Sequence, residues 1–567
     1  MGEEGGQQGW RLSGLRLPLD HSEADLGAAL CRRLRLAPEQ LRGWSLVKRS
    51  VDARRHDQIR LVYSLDVQLA ELAPALLKTL SRRWAADPQL QPIPDDRYRF
   101  PLAPPARPQA GTQRPVVVGA GPCGYFAALL LAQMGLRPIL LERGKAVRQR
   151  TADTFGFWRG LRPFDPESNA QFGEGGAGTF SDGKLYSQVS EPLPYQRKVL
   201  EELVAAGAHP DILTLHHPHI GTFKLATVVR GLRQRIEALG GTVRFESRVE
   251  RLLLDPLDRQ VRGVQLADGE VIAAARVILA PGHSARDLFT TLQQQGVQLE
   301  AKPFAMGVRI EHPQALIDQA RWGAAAGHPR LGAAEYKLVH HCRGAGLDGR
   351  SVWSFCMCPG GLVVGATSEV GMVVTNGMSQ HSRNERNANS GLVVNINLDD
   401  LAPYGDGPAD PLAGVAFQRH WEARAFALAG GDYAAPSQCV GAFLGDGAAG
   451  GGGPAVIASY QPGVVDCAIS ACLPDFVSAA LREALPVFAR SIPGYAAAGA
   501  RLTAVETRTS SPLRIPRNST TLESGNTPGL YPAGEGAGYA GGILSAAIDG
   551  IKVAEQVALA LMNQPMG

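Results

Sequence analysis

Residues 115–144, PVVVGAGPCGYFAALLLAQMGLRPILLERG, pass from a β-branched run through a glycine turn into an apolar helix and then a second strand that ends on an acid. A chain with this order opens a βαβ unit, which commits it to a parallel sheet covered by helices. Gly119 suits the sharp turn off the strand, Gly121 lets backbone approach a pyrophosphate, and Gly124 permits close packing of the helix. The N–H groups of the first helical turn face the anion. Glu142, 23 residues beyond Gly119, is placed to accept ribose hydroxyls. Glycine turns are common, so the motif alone is weak; the strand before it, the helix after it and the terminal acid together make it a dinucleotide site. At this point FAD and NAD remain equally compatible.

A second segment, residues 529–555, GLYPAGEGAGYAGGILSAAIDGIKVAE, discriminates between them. A short strand over 529–532 leads to Gly534, Glu535 and Gly536, and a helix opens near Gly542. A returning strand, acid and helix of this kind suit a ribityl chain and the N1–C2=O edge of a reduced flavin, where the positive helix end stabilises charge. An NAD enzyme has no need of that element at the far end of its sequence. No second G-x-G-x-x-G lies between a strand and a helix, so one dinucleotide site is expected, and NADH and NADPH are candidate electron donors without a fold of their own.

These stretches, with GGAGTFSDGK, HIGTFKL, VILAPGHSARDLF, KPFAMGVRIEHP, FCMCPGG, TNGMS and SVDAR, give the chain a resemblance that spans nearly its whole length. Residues 115 to about 558 resemble a glutathione-reductase-type FAD fold without the second pyridine-nucleotide domain. More narrowly they resemble a largely uncharacterised family of FAD-dependent dehydrogenases. The resemblance implies FAD contacts at Gly119, Gly121, Pro122, Gly124 and Glu142, with Arg143 beside the adenosine. It implies flavin-side contacts from Gly176, Thr179, Ser181 and Lys184, and from Gly534, Glu535, Gly542 and Ile543. Val249 would meet adenine through its backbone, with Ala280 and Gly282 behind the pyrophosphate. Two departures stand out: Asp is usual where Glu535 stands, and Thr is frequent where Pro281 stands.

At 567 residues the chain accommodates several domains, and 45% hydrophobic with 19% charged residues describes a globular protein. The expected class is α/β: a Rossmann-like FAD-binding domain with an inserted β-rich substrate domain, plus a small N-terminal α+β domain of ferredoxin-like type. The expected division is 1–100 for the N-terminal domain, 101–114 for a proline-rich linker, 115–299 and 501–567 for the FAD-binding domain, and 300–500 for the substrate domain. In the first domain LRLPL and QIRLVYSLDVQL read as strands and residues 22–34 as a helix, capped by Ser22 with Asp25 and apolar at Leu26, Leu30 and Leu34. The glycine run of 445–454 lacks Gly-Lys-Ser/Thr and reads as a loop rather than a P-loop.

Eight cysteines, scattered without a disulfide framework, fit a reducing cytoplasm. No leader and no membrane span are expected, because the longest apolar run, residues 126–134, belongs to the glycine-motif helix. The first hundred residues carry 16 Lys+Arg against 13 Asp+Glu, a mild excess that reads as solvated surface more readily than as a nucleic-acid face.

Further residues are candidates for chemistry. Lys184 near a flavin would raise its potential. Cys356 and Cys358, two apart in a strand, point the same way and read as two small buried hydrophobes in a packed strand, with a thiol facing the isoalloxazine as the alternative. His216, His217 and His219 read as a loop of solvated histidines, with a hydrogen-bonding role near the nucleotide as the alternative. Asn376, Met378 and Ser379 are placed to line a substrate pocket. His340, His341 and Cys342 lack a four-ligand zinc spacing, so no metal is expected. The leading expectation is an FAD-dependent oxidoreductase acting on a small molecule; the alternatives are a flavin-binding RNA-modifying or RNA-associated protein and a noncatalytic flavin redox sensor.

Overall fold

The computed structural model describes residues 9–55, 57–102, 113–186, 191–406, 410–445 and 455–562. Most of the linker expected over 101–114, and the glycine run after Gly445, lie outside the described residues.

The N-terminal unit runs strand, helix, strand, strand, helix, strand: Trp10–Pro18, Glu23–Leu34, Leu41–Asp52, Arg60–Leu69, Pro74–Ala85 and Leu90–Pro92. Its antiparallel sheet places Arg60–Leu69 and Trp10–Pro18 in the centre, flanked by Leu41–Asp52 and Leu90–Pro92. The first helix starts where the sequence places it. Ser22 Oγ accepts from the Asp25 N–H and the Asp25 carboxylate accepts from the Ser22 N–H, a reciprocal cap that satisfies two helix-end donors. Leu26, Leu30 and Leu34 are buried beneath it. The strand Leu41–Asp52 and the helix Pro74–Ala85 escape the sequence pattern. The strand has no fully buried residue, its exposed positions recurring every third residue rather than alternating, and the helix buries only Leu80 and Trp84.

The second unit is a five-stranded, wholly parallel sheet in the order Leu530–Pro532, Val277–Leu279, Val116–Val118, Ile139–Leu141, Thr242–Arg244. A strand from the far end of the chain thus returns two places from the glycine-motif strand. Three antiparallel strands, Val249–Leu254, Val261–Leu266 and Val271–Ala273, form the meander between them. The helix Pro122–Gln133 is buried from Cys123 to Ala132, apolar on all sides because sheet and helices enclose it. The C-terminal helix Ile543–Met562 packs on it so closely that a Cβ at Gly550 would stand 2.1 Å from the Cys123 carbonyl oxygen.

A seven-stranded, mostly antiparallel sheet forms the third unit, with Phe304–Pro313 at its centre between Asn387–Ile396 and Arg501–Glu506. The strand Arg501–Glu506 therefore belongs to this sheet, which carries the unit past the boundary expected at 500. The largest apolar core lies around it.

Gly550→Val should lower stability by about 1–3 kcal/mol, because overpacking against backbone cannot be relieved by a rotamer change. A chemical-denaturation midpoint beside that of the parent protein checks this.

Candidate functional site

The first strand of the parallel sheet ends at Gly119, with φ +99° and a position where a Cβ would lie 2.2 Å from the Ala280 carbonyl oxygen. Only glycine fits such a turn. Gly124 is equally constrained, since its Cβ would meet the Gly119 carbonyl oxygen at 1.8 Å. The helix begins with Gly121 as its N-cap and no side-chain cap, leaving first-turn N–H groups without a side-chain partner.

Opposite this turn, residues 169–176 cross the interior without regular secondary structure, and two buried charged side chains satisfy their backbone. Glu142 Oε1 accepts from the N–H groups of Gly144 and Gly173, each at 2.9 Å, and Oε2 accepts from Ala120 at 2.8 Å. Arg150, fully buried, donates to the carbonyls of Asn169, Ala170, Gly173, Glu174 and Gly176. Burial lowers the Arg150 pKa to about 10, so it stays charged at neutral pH. The result sets Gly176 against Gly121, with a Cβ on Gly176 only 2.9 Å from the Gly121 Cα.

A cavity of about 1900 Å³ opens in front of these elements. Gly119, Gly121, Pro122, Glu142, Arg143, Gly176, Ser181, Lys184, Val249, Ala280, Gly282, Gly534, Glu535, Gly542 and Ile543 all line it, although they span more than 400 positions in sequence. Gly124 and Thr179 do not line it. Gly124 serves the close helix approach, and Thr179 turns inward, its hydroxyl donating to the Glu174 carbonyl at 3.3 Å.

The cavity fits a flavin dinucleotide on three observations. Gly282 and Gly542 have positive φ and open space where a Cβ would stand. Glu142 uses three of about four acceptor positions on backbone, leaving one on Oε2 for a ribose hydroxyl. His283 lines the cavity with both ring nitrogens buried and without a hydrogen bond, a polar side chain that needs a polar ligand. Its Nδ1 lies 3.1 Å from Glu535 Oε1, a charge-pair distance without hydrogen-bond alignment, so the longer acid at 535 reaches a histidine. Arg143 lies over the Phe172 ring at 4.0 Å and pairs with Glu167 and Asp287.

The facing wall comes from the seven-stranded sheet. Arg309, fully buried, holds Glu506 through two hydrogen bonds and also donates to Asn376 Oδ1 and the Cys356 carbonyl. Lys184 donates to the Met357 carbonyl. The shared face expected for Cys356 and Cys358 is not what forms: a bulge interrupts the strand, Cys356 takes φ +44°, and the register breaks between Phe355 and Cys358. Cys356 lines the cavity, whereas Cys358 is buried off it with its thiol donating to the Cys356 carbonyl. The neighbouring Cys358, with Arg309 and Lys184, lowers the Cys356 pKa against the effect of burial.

Of the other sequence candidates, Asn376 lines the cavity; Met378 and Ser379 do not. His216 and His217 are exposed, in keeping with a solvated loop, and His219 is half-buried. His216 and His217 stack at 4.4 Å, His217 stacks on Tyr186 at 4.2 Å, and all three histidines line the cavity. Partial desolvation, with Lys48 and His217 nearby, pushes the His216 pKa down to about 4, so it is neutral at pH 7. Away from the cavity, His340, Cys342 and Glu483 bring potential ligand atoms within 4.8 Å of one another, but Glu483 already accepts from His340 and from the N–H groups of Arg343 and Gly344. Sequence reasoning passed over His283, Arg309 and Glu506, although VILAPGHSARDLF and KPFAMGVRIEHP contain the first two. It also passed over the N-terminal unit's share: Arg49, Val51 and Asp52, the end of the strand carrying SVDAR, line the same cavity.

Comparison with known proteins places the chain among FAD-dependent proteins. Residues 115–321 match the family described as FAD dependent oxidoreductase, residues 303–509 that described as FAD-dependent protein, C-terminal domain-like, and residues 11–68 a domain of unknown function. An uncharacterized protein of Clostridium beijerinckii is 42% identical over 551 residues, covering 96% of this chain and 98% of its own. Protein FixC of Escherichia coli K12 is 27% identical over 246 residues, covering 38% of this chain and 49% of its own. Among solved structures, CtdE in complex with FAD and substrate 4 is similar to 78% of this chain, over 79% of its own, at 12% identity and a TM-score of 0.31.

Two outcomes follow from the site's chemistry. Arg150→Met strands five buried carbonyls and should cost about 3 kcal/mol or more, read as a lowered denaturation midpoint. Iodoacetamide should label Cys356 faster at about pH 7 than Cys342 and Cys467, whose thiols burial pushes up while that of Cys356 is lowered; mass spectrometry of the labelled peptides measures it.

Proposed function

Because the chain belongs to the FAD-dependent oxidoreductases, we propose that it binds FAD along the 1900 Å³ cavity and passes an electron pair between a reduced donor and a small-molecule substrate. The observation that carries this reading is convergence: fifteen residues expected at the two ends of one FAD, from Gly119 to Ile543, line a single continuous cavity.

In this reading the adenosine lies by Glu142, Arg143 and Val249, with its ribose on Glu142 Oε2. The pyrophosphate takes the free N–H groups at the start of Pro122–Gln133, where the helix dipole favours an anion. The flavin end lies by Gly534 to Ile543 and faces Lys184, Cys356 and Asn376. FAD supplies two-electron transfer when bound. The protein's own part is orientation and electrostatics. The start of Ile543–Met562 presents positive dipole to the cavity. Lys184 adds a cation tied to the Met357 carbonyl, and the Arg309–Glu506 pair fixes the backbone that carries Cys356. Cys356, its pKa lowered by its neighbours, is the wall's nucleophilic or proton-accepting group.

We read the N-terminal unit as ferredoxin-like, on its strand order and antiparallel pairing. The substrate domain is read as running from 300 to about 506, with FAD-binding segments on either side. NADH and NADPH are the donors to test. Among the described residues no helix is long and apolar enough to cross a membrane.

The purified protein should carry FAD, identified after release, and should lose its flavin absorption under anaerobic NADH or NADPH. A colourless protein that takes up no added FAD contradicts the reading. Glu142→Ala removes the acceptor for three buried N–H groups as well as for the ribose, and should weaken FAD binding at least tenfold, measured by flavin-fluorescence titration.

A further inference from the structure

The cavity is larger than one cofactor needs: small-molecule and cofactor sites commonly span about 300–1,000 Å³, and this one measures about 1900 Å³. A chamber beyond the FAD is therefore part of the architecture, and its wall charge is uneven.

Around the dinucleotide elements, Arg143, Arg248 and Arg508 face Glu142, Glu506 and Glu535, cation for carboxylate. All three arginines also pair with acids outside the lining: Arg143 and Arg248 with Asp287, and Arg508 with Glu422. The remainder of the wall differs. The N-terminal unit contributes Arg49 and Arg54, the segment from 321 to 337 contributes Arg321, Arg330 and Lys337, and Lys184 and Arg383 complete it. Seven cations stand there against three carboxylates, Asp52, Asp182 and Glu335. Those carboxylates are already engaged, Asp52 by Arg54 and both others by Arg383. Among the described residues the side chains of Arg49 and Arg321 make no hydrogen bond or ion pair. His216, bonded through its backbone to Arg49, is neutral at pH 7 and adds no charge.

The position of Arg49 is fixed by the fold. Its N–H donates to the Thr214 carbonyl at 2.7 Å, and its carbonyl accepts from His216 at 3.0 Å, so the edge strand of the N-terminal sheet is bound to the histidine loop at the cavity wall. The first hundred residues thus build part of this chamber.

Resting on the FAD reading above, we infer that the chamber takes a small anionic substrate, one bearing a carboxylate or phosphate group that Arg49 and Arg321 recognise, with the N-terminal unit as a substrate-binding element. A cleft wall with an excess of one sign concentrates ligands of the opposite sign, and guanidinium groups match both oxyanions in geometry. Arg49 and Arg321 act on binding and are not placed on the reacting atoms.

The test uses the flavin-loaded full chain, titrated at constant ionic strength with succinate, with inorganic phosphate and with neutral succinamide, while flavin difference absorption and calorimetry are recorded. At least one anion should bind saturably and weaken as salt is raised, and succinamide should not bind. Comparison of succinate with phosphate identifies which oxyanion is preferred. The double variant Arg49→Gln, Arg321→Gln should bind that anion at least tenfold more weakly with its FAD content unchanged. The inference is overturned if succinamide binds as well as succinate, if neither anion binds, if the double variant matches the parent, or if an RNA oligonucleotide displaces the bound anion. Protein that takes up no FAD defeats the functional reading itself; FAD-replete protein indifferent to anions defeats this inference alone.

Discussion

The structure depends on how one buried, irregular stretch of backbone is satisfied. Residues 169–176 have neither helix nor strand bonds, and buried amides without partners are costly. Glu142 accepts an N–H of this stretch together with one from the glycine turn and one from its own loop, while Arg150 takes five of its carbonyls. One anion and one cation thereby hold the first strand's turn, the second strand's end and the 169–176 loop in a single arrangement. The cavity floor is the product of that arrangement, because Gly121 and Gly176 approach each other only when the loop is held.

From this floor the cavity is completed by distant segments. The strand Leu530–Pro532 hydrogen-bonds beside Val277–Leu279 and so delivers Gly534 to Ile543 to the same end of the parallel sheet as the glycine turn. The opposite wall is the bulged strand carrying Cys356, braced by Arg309. The edge of the N-terminal sheet, tied through Arg49 to the histidine loop, encloses what remains. All three units therefore share one site.

Much of this was legible in the residues. The glycine turn, its acid and the returning 529–543 segment each carry a local signature, since turn geometry and helix starts are decided by nearest neighbours. The cap at Ser22 is likewise local. What escaped was tertiary. The bulge at Cys356 depends on neighbouring strands and overturned a simple alternation rule. The stacking of His216 on His217 and of His217 on Tyr186 is set by tertiary packing, which no local pattern records. The strand Arg501–Glu506 joins the substrate-domain sheet by pairing with a strand nearly 200 positions earlier, so a boundary drawn by sequence order fell on the wrong side of it. Arg150 carries no motif at all; its importance comes only from the carbonyls that the fold gathers around it.

A crystal structure of the flavin-loaded protein tests the central claim most directly. The account predicts an adenosine ribose hydroxyl on Glu142 Oε2, the pyrophosphate at the start of Pro122–Gln133, and the isoalloxazine between Gly542–Ile543 and the Cys356–Asn376 wall. Adenosine density at the Gly534 end, or a flavin ring outside this cavity, would contradict it.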